Sequence, residues 1–343
     1  MASGTLALRS INLCEAKVNF RKFNGTDFQT SEIGLGCWQL GGADWGDVSD
    51  ELAFDILAKA VESGVNFFDT ADVYGMGRSE ELIARFLKQT GHQAFVATKL
   101  GRVNLYPDNY TEATIRAATE ASLTRLQVDA LDLTQLHCIP TEVMRQGDVF
   151  EWLRKLQQEG KIKRFGASVE SMEEAQICLQ QEGLSALQII FNIFRQKPID
   201  AIFDEAKQKN VALIVRLPLA SGLLSGKLTK DSTFAATDHR HYNRDGQAFN
   251  VGETFAGLEF EEGIELVEQL RPLVPEGITM AQWAMRWILD FDAVTVVIPG
   301  ATKVEQVGAN AAASELPPLD EARHEQLRAF YAVNVAEKIR GPY

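Results

Sequence analysis

Asp69, Tyr74, Lys99 and His137 are the residues whose types and spacing could do chemistry. In Asn66-Phe67-Phe68-Asp69-Thr70-Ala71-Asp72-Val73-Tyr74-Gly75 an apolar, strand-forming run ends on a carboxylate, and a glycine-flanked tyrosine follows in the next loop. An acid and a phenol so placed are costly for a structural turn and natural for a site. Lys99 ends the run Phe95-Val96-Ala97-Thr98-Lys99, and His137 ends Leu131-Asp132-Leu133-Thr134-Gln135-Leu136-His137. A phenol with a pKa near ~10 is a poor acid at neutral pH, but an ammonium within ~4–6 Å stabilises the phenolate and lowers that value. Lys99 would supply the charge, and Asp69 would keep the lysine protonated, because a buried ammonium is costly unless paired. His137 would donate to a substrate oxygen or pass a proton to Tyr74. Such a set suits protonation of an alkoxide as hydride reaches a carbonyl carbon. Singly, each residue has a plainer reading as a turn cap, a solvated charge, a hydrogen-bonded histidine or a packing aromatic; the ordered placement at strand ends carries the chemical one.

Those strand ends become neighbours only if the strands curl together. The 343 residues suffice for two ordinary domains or one large α/β barrel. An Asn24-Gly25 hairpin leads into Ile33-Gly34-Leu35-Gly36-Cys37-Trp38, and strand and helix then alternate. A helix capped by Ser49 or Asp50 is expected to end at Ser63-Gly64, and further helices are expected over 79–88, 111–126, 149–159, 172–181, 199–209, 261–270 and 280–289. Strands are expected over 65–69, 95–99, 131–137, 162–168, 186–191, 211–216 and 294–298, with a long polar insertion before the last. Eight βα units predict a single (β/α)8 TIM barrel with an N-terminal β-hairpin and long loops on its C-terminal face, over residues 18–343 behind an extension at 1–17. The doubly wound rival needs a G-x-G-x-x-G turn, and Gly34-Leu35-Gly36 runs into Cys37-Trp38-Gln39 instead.

Composition narrows the partners. A net charge of -13 argues against nucleic acid or an anionic membrane surface, so the partner is a small molecule. Cys14, Cys37, Cys138 and Cys178 lack the spacing of a disulfide framework or a zinc site, and His239 with His241 reads as a surface pair, so no metal is expected. With neither a leader-like segment nor an apolar run of ~20 residues, a cytoplasmic protein is expected. Oligomeric state has no signature in the sequence.

The run through Asp69 and Tyr74, with Ala-Thr-Lys99 and Leu-Gln-Leu-His137, closely resembles the Asp, Tyr, Lys, His tetrad of the aldo-keto reductase family. The likeness extends from Ile-Gly-Leu-Gly-Cys-Trp38 to Val-Ile-Pro299-Gly-Ala-Thr and Asn310. It implies an oxidoreductase that reduces aldehydes or ketones, or reversibly oxidises sugars or alcohols, with Tyr74 as proton donor, Lys99 and Asp69 as its tuning pair and His137 orienting the carbonyl. It also implies extended NADPH, with NADH as the alternative. Gly36, Cys37, Trp38, Asp69, Ser168, Gln188 and Arg216 would lie along the nicotinamide half. Leu219, Ser221, Gly222, Leu224 and Lys227 would lie over the pyrophosphate, and Gly300, Thr302, Lys303, Gln306 and Asn310 at the adenosine end. Trp38, Tyr74, Tyr106, His137 and Cys138 would line the substrate pocket. Val169, Arg216 and Ala309 stand where many members carry Asn, an aromatic and Glu. Arg216 would stack on the nicotinamide, hydrogen-bond its carboxamide, or pair with a barrel acid. Two rivals remain: an NADPH-binding regulatory or partner subunit with little turnover, and a lyase using Lys99 as a Schiff base, against which Asp69 argues by keeping that amine charged.

Overall fold

Parallel strands covered on both faces read as short apolar runs, and Phe67–Asp69, Ala212–Arg216 and Val294–Val297 are each buried along their whole length. The computed structural model describes residues 18–42, 44–45 and 48–343; the expected extension at 1–17, with Cys14, lies outside the described residues. An antiparallel hairpin, β1 (Phe20–Lys22) and β2 (Gln29–Ser31), comes first. Eight parallel strands follow in sequence order: β3 (Leu35–Gly36), β4 (Phe67–Asp69), β5 (Phe95–Leu100), β6 (Leu133–His137), β7 (Phe165–Ser168), β8 (Leu184–Ile190), β9 (Ala212–Arg216) and β10 (Val294–Val297). The Gly34 N–H donates to the Val297 carbonyl at 2.8 Å and the Gly36 N–H to that of Pro299 at 3.0 Å, which closes the sheet on itself. The expected single (β/α)8 barrel is present.

Helices surround it: α1 (Asp50–Glu62), α2 (Arg78–Thr90), α3 (Glu112–Leu126), α4 (Thr141–Gln146), α5 (Asp148–Gln158), α6 (Met172–Leu179), α7 (Pro198–Ala201), α8 (Phe203–Gln208), α9 (His239–Tyr242), α10 (Phe260–Leu270), α11 (Met280–Leu289), α12 (Val304–Ala311) and α13 (Glu321–Asn334). The Ser49 hydroxyl accepts from the Leu52 N–H at the start of α1, as its sequence predicts. Of the elements that differ from the sequence reading, three show why. The helix expected over 199–209 is two, α7 and α8, because Ile202 leaves the helical path at φ -142 and is buried in the core. The short α4 precedes α5, separated from it by Gly147 at φ 88. The third, α13, buries only Leu327 fully and so shows little apolar period to read.

The hairpin stoppers the N-terminal end of the barrel. Phe23 packs 5.0 Å from Phe95 and 6.1 Å from Phe67, the first residues of β5 and β4, above an interior of Ala97, Leu133, Ala186, Ala212, Ile214 and Val296. Phe23→Ala should therefore cost about 3–5 kcal/mol, read as a lower urea midpoint at unchanged slope. A loss below ~1 kcal/mol, well under the range for a buried phenylalanine, would show that the stopper does not seal the core.

Candidate active site

At the opposite end, Asp69 closes β4, His137 closes β6, and Lys99 is the next-to-last residue of β5. The turn to Tyr74 is pinned from below: the Thr70 hydroxyl donates to Ser79 Oγ at 2.8 Å, and Ser79 Oγ donates to the Cys37 carbonyl at 2.9 Å. Gly75, at φ 60, crosses the next loop so closely that a Cβ there would sit 2.1 Å from the Gly41 carbonyl oxygen. Only glycine meets both demands. Tyr74 thus stands over Lys99, whose Nζ donates to Asp69 Oδ1 at 2.5 Å, the Thr70 carbonyl at 2.8 Å and the Tyr74 hydroxyl at 3.2 Å. Asp69 Oδ2 accepts from Gln188 Nε2 at 2.7 Å and Gln135 Nε2 at 3.3 Å. Trp38 stacks on Tyr74 at 5.9 Å, and the His137 ring meets Tyr74 edge-on at 5.8 Å.

Electrostatics follow from this enclosure. Burial opposes the Lys99 charge, but the Asp69 carboxylate and Tyr74 outweigh it and raise the lysine above its ordinary value. His137 is held well below the imidazole range by burial and by the charges of Lys99, Arg102 and Arg216, so it is neutral at neutral pH, with Nδ1 buried and without a partner among the described residues. For Tyr74 the sequence expectation is corrected in direction. Lys99 does lower the phenol, but burial outweighs it and pushes the pKa up to about 12.

A cavity of about 680 Å³ opens over these groups, a size usual for small-molecule sites. Its wall includes Asp69, Tyr74 and His137 with Gly36, Cys37, Trp38, Gln188 and Arg216. Leu219, Ser221, Gly222 and Lys227 continue it, and Gly300, Thr302, Gln306 and Asn310 close its far end at the start of α12. Lys99 lies beneath, fully buried. Five other expected residues are off the wall. Leu224 is buried in the core; Lys303 precedes α12 as its cap residue; Ser168 is buried with Oγ 3.7 Å from Cys138 Sγ. Cys138 sits behind Arg216, whose Nη2 is 3.6 Å from its sulfur, and Tyr106 is half exposed beneath the Arg102 guanidinium at 4.8 Å. Gln188 is on the wall but spends its amide nitrogen on Asp69 and on Gln135 Oε1 at 3.3 Å.

Among the open readings of Arg216, the structure shows an ion pair, and its partner Glu253 comes from the insertion after β9 rather than from a barrel strand. Nη2 also donates to the Val169 carbonyl at 2.9 Å, and Nε is buried without a partner among the described residues. His239, read as a surface residue, is buried: its ring packs 4.4 Å from Trp45 and 4.9 Å from Trp38. Cys138, Glu170 and Glu253 bring donor atoms within 4.8 Å of one another, but Arg102 and Arg216 engage the two carboxylates.

Three wall residues were not foreseen, Arg102, Asp44 and Glu253, while Arg240 and Tyr242 also line the wall. Asp44 accepts from Trp38 Nε1 at 3.0 Å and from the Tyr242 hydroxyl at 2.9 Å, tying the loop after β3 to the insertion. The aromatic and cationic run at 239–246 suggests such a cover, while Arg102, three residues past Lys99 on the same face, could have been read by following the β5 loop.

The donor set suits a nicotinamide dinucleotide. Arg216 lines the cavity with its Nε unpartnered among the described residues, Gly222 offers backbone without a side chain, and Lys227 has no carboxylate partner among the described residues. No described helix is long and apolar enough to cross a membrane.

The model of the Aldo/keto reductase family matches residues 32–332. The chain is 30% identical to "Aldo-keto reductase YhdN" of Bacillus subtilis, over 83% of this chain and 85% of that one. It is 29% identical to the "NADH-specific methylglyoxal reductase" of Escherichia coli, over 84% and 91%. Among solved structures, the glycerol dehydrogenase AKR11B4 from Gluconobacter oxydans superposes with a TM-score of 0.77 at 30% identity, covering 94% of this chain and 98% of the other.

Proposed function

The chain belongs to the aldo/keto reductase family and is an NAD(P)H-dependent oxidoreductase acting on small-molecule carbonyls, and from that premise we propose that Tyr74 is the proton donor, with Lys99, Asp69 and His137 as its working partners. The observation that supports the reading is the Lys99 ammonium fixed 3.2 Å from the Tyr74 hydroxyl by Asp69. A bound reduced nicotinamide would supply hydride to the carbonyl carbon. Tyr74 donates its proton to the carbonyl oxygen as negative charge develops there. Lys99 stabilises the phenolate left behind, an effect strengthened by the same burial that raises the resting pKa. Neutral His137 donates an N–H to that oxygen and holds it near Tyr74. Asp69 keeps Lys99 charged, and its second oxygen is braced by Gln188 and Gln135.

Gln188 and Arg216 would hold the nicotinamide end of the cofactor, with Ser221, Gly222 and Lys227 along the diphosphate and Thr302, Gln306 and Asn310 at the adenosine. NADPH is the cofactor we assign, because Lys303 at the cap of α12 adds positive charge beside the helix N-terminus. The methylglyoxal reductase it resembles is NADH-specific, so the two cofactors must be compared directly. Purified protein with an activated aromatic aldehyde should consume NADPH, with NADH giving a lower kcat/KM. Cofactor binding without turnover across a panel of aldehydes and ketones would replace the reductase reading with that of a sensing subunit, and equal or better use of NADH would reverse the cofactor assignment.

A further inference from the structure

The cavity wall carries four cations, Arg102, Arg216, Lys227 and Arg240, and three carboxylates, Asp44, Asp69 and Glu253. Most of this charge is already paired. Asp69 holds Lys99 and Glu253 holds Arg216; Asp44 accepts from Trp38 and Tyr242; Arg240 is clasped by Asp238 through Nε at 2.9 Å and Nη2 at 2.6 Å. Lys227 has no carboxylate partner among the described residues, Arg102 has only the long contact to Glu170 at 3.4 Å, and the two stand apart. Lys227 follows β9, whereas Arg102 follows β5, four strands away around an eight-stranded barrel and so across its mouth. Lys227 belongs to the cofactor stretch. Arg102 stands beside the tetrad: its Nε donates to the carbonyl of His137 at 3.1 Å.

Arg102 is held in place but incompletely used. Its guanidinium lies 4.8 Å over the Tyr106 ring, and Nη2 reaches Glu170 Oε1 at a long 3.4 Å. Nη1 makes no hydrogen bond among the described residues. Glu170 is itself off the cavity wall. Burial, then the nearby Glu253, raises its carboxyl to about 7, so it is a weak counter-charge. A rigid, planar fork with free donors beside a reaction centre is matched by a carboxylate, which it can grip through two parallel N–H bonds.

We propose that Arg102 anchors a carboxylate on the substrate, so that the preferred substrates are aldehydes or ketones bearing an acid group a few atoms from the carbonyl. This rests on the reductase reading above and adds the substrate class to it. An anchor gripping an unreacting part of the substrate binds ground state and transition state alike, so its loss falls mainly on KM.

The experiment compares two pairs of probes, succinic semialdehyde against butanal and 4-carboxybenzaldehyde against benzaldehyde, in wild type, Arg102→Gln and Arg102→Lys. For wild type the acid member of at least one pair should show a KM about tenfold or more below its neutral partner. In Arg102→Gln the acid-over-neutral ratio of kcat/KM should fall about ten- to hundredfold, the range for a hydrogen bond to a charged group. Arg102→Lys, which keeps the charge but loses the fork and the Nε bond to His137, should retain part of the ratio. Lack of acid preference in wild type for both pairs, or equal loss on acid and neutral aldehydes in Arg102→Gln, overturns the anchor while leaving the reductase standing. Should neither member of any pair be reduced, the reductase reading falls instead, and benzoate binding to the cofactor-loaded protein by calorimetry decides the anchor: affinity lost about tenfold or more in Arg102→Gln supports it, and equal affinity ends it.

Discussion

Tyr74→Phe should lower kcat for aldehyde reduction by about 10²–10⁴-fold, the usual contribution of a positioned proton donor, and leave cofactor affinity within about threefold, a difference below ~1 kcal/mol. Phenylalanine keeps the ring and hence the stacking of Trp38 at 5.9 Å and the edge-on contact with His137 at 5.8 Å. Only the hydroxyl goes. Lys99 keeps its bonds to Asp69 at 2.5 Å and to the Thr70 carbonyl at 2.8 Å, so no charge is orphaned and the fold should hold. Steady-state kinetics and cofactor fluorescence titration separate the two quantities. A variant turning over at close to the wild-type rate would transfer the donor role to His137 or to water. A large loss of cofactor affinity would instead make Tyr74 a wall of the binding site.

Much of this site was legible in one dimension because a barrel converts sequence order into proximity. Asp69, Lys99 and His137 each end a readable strand, and parallel strands in sequence order bring such ends to one face. What spacing does not contain is burial. The sequence shows that a lysine can stand near Tyr74, but not how far the phenol is taken out of water, and that burial decides the sign of its shift. Partner choice is hidden for a similar reason. Glu253 reaches Arg216, and Tyr242 reaches Asp44, from an insertion with no helical or strand period, where nothing local fixes where a side chain ends. The break at Ile202 is another tertiary demand: the apolar pattern continues through it, and only packing of Ile202 into the core interrupts the helix.

The pairing of Lys99 with Asp69 gives the second large effect, and it separates catalysis from stability. Both side chains are almost wholly buried, at 1% and 3% exposure. Lys99→Met leaves the Asp69 carboxylate in a dry interior with two amide donors but no counter-charge, which should destabilise the protein by about 3–5 kcal/mol and lower kcat about a hundredfold or more. Asp69→Asn combined with Lys99→Met removes both charges. The asparagine oxygen can still accept from Gln188 or Gln135, so much of the lost stability should return, as exchange of a whole buried ion pair is often close to neutral. Activity should not return, because the phenolate still lacks an ammonium. Urea denaturation and single-turnover reduction across the four proteins of the cycle report the two quantities separately. Additive stability losses would mean that the charges do not depend on each other. Recovery of turnover in the double variant would mean that Lys99 serves the fold alone, since a role in stabilising the Tyr74 phenolate requires its charge and not merely its volume.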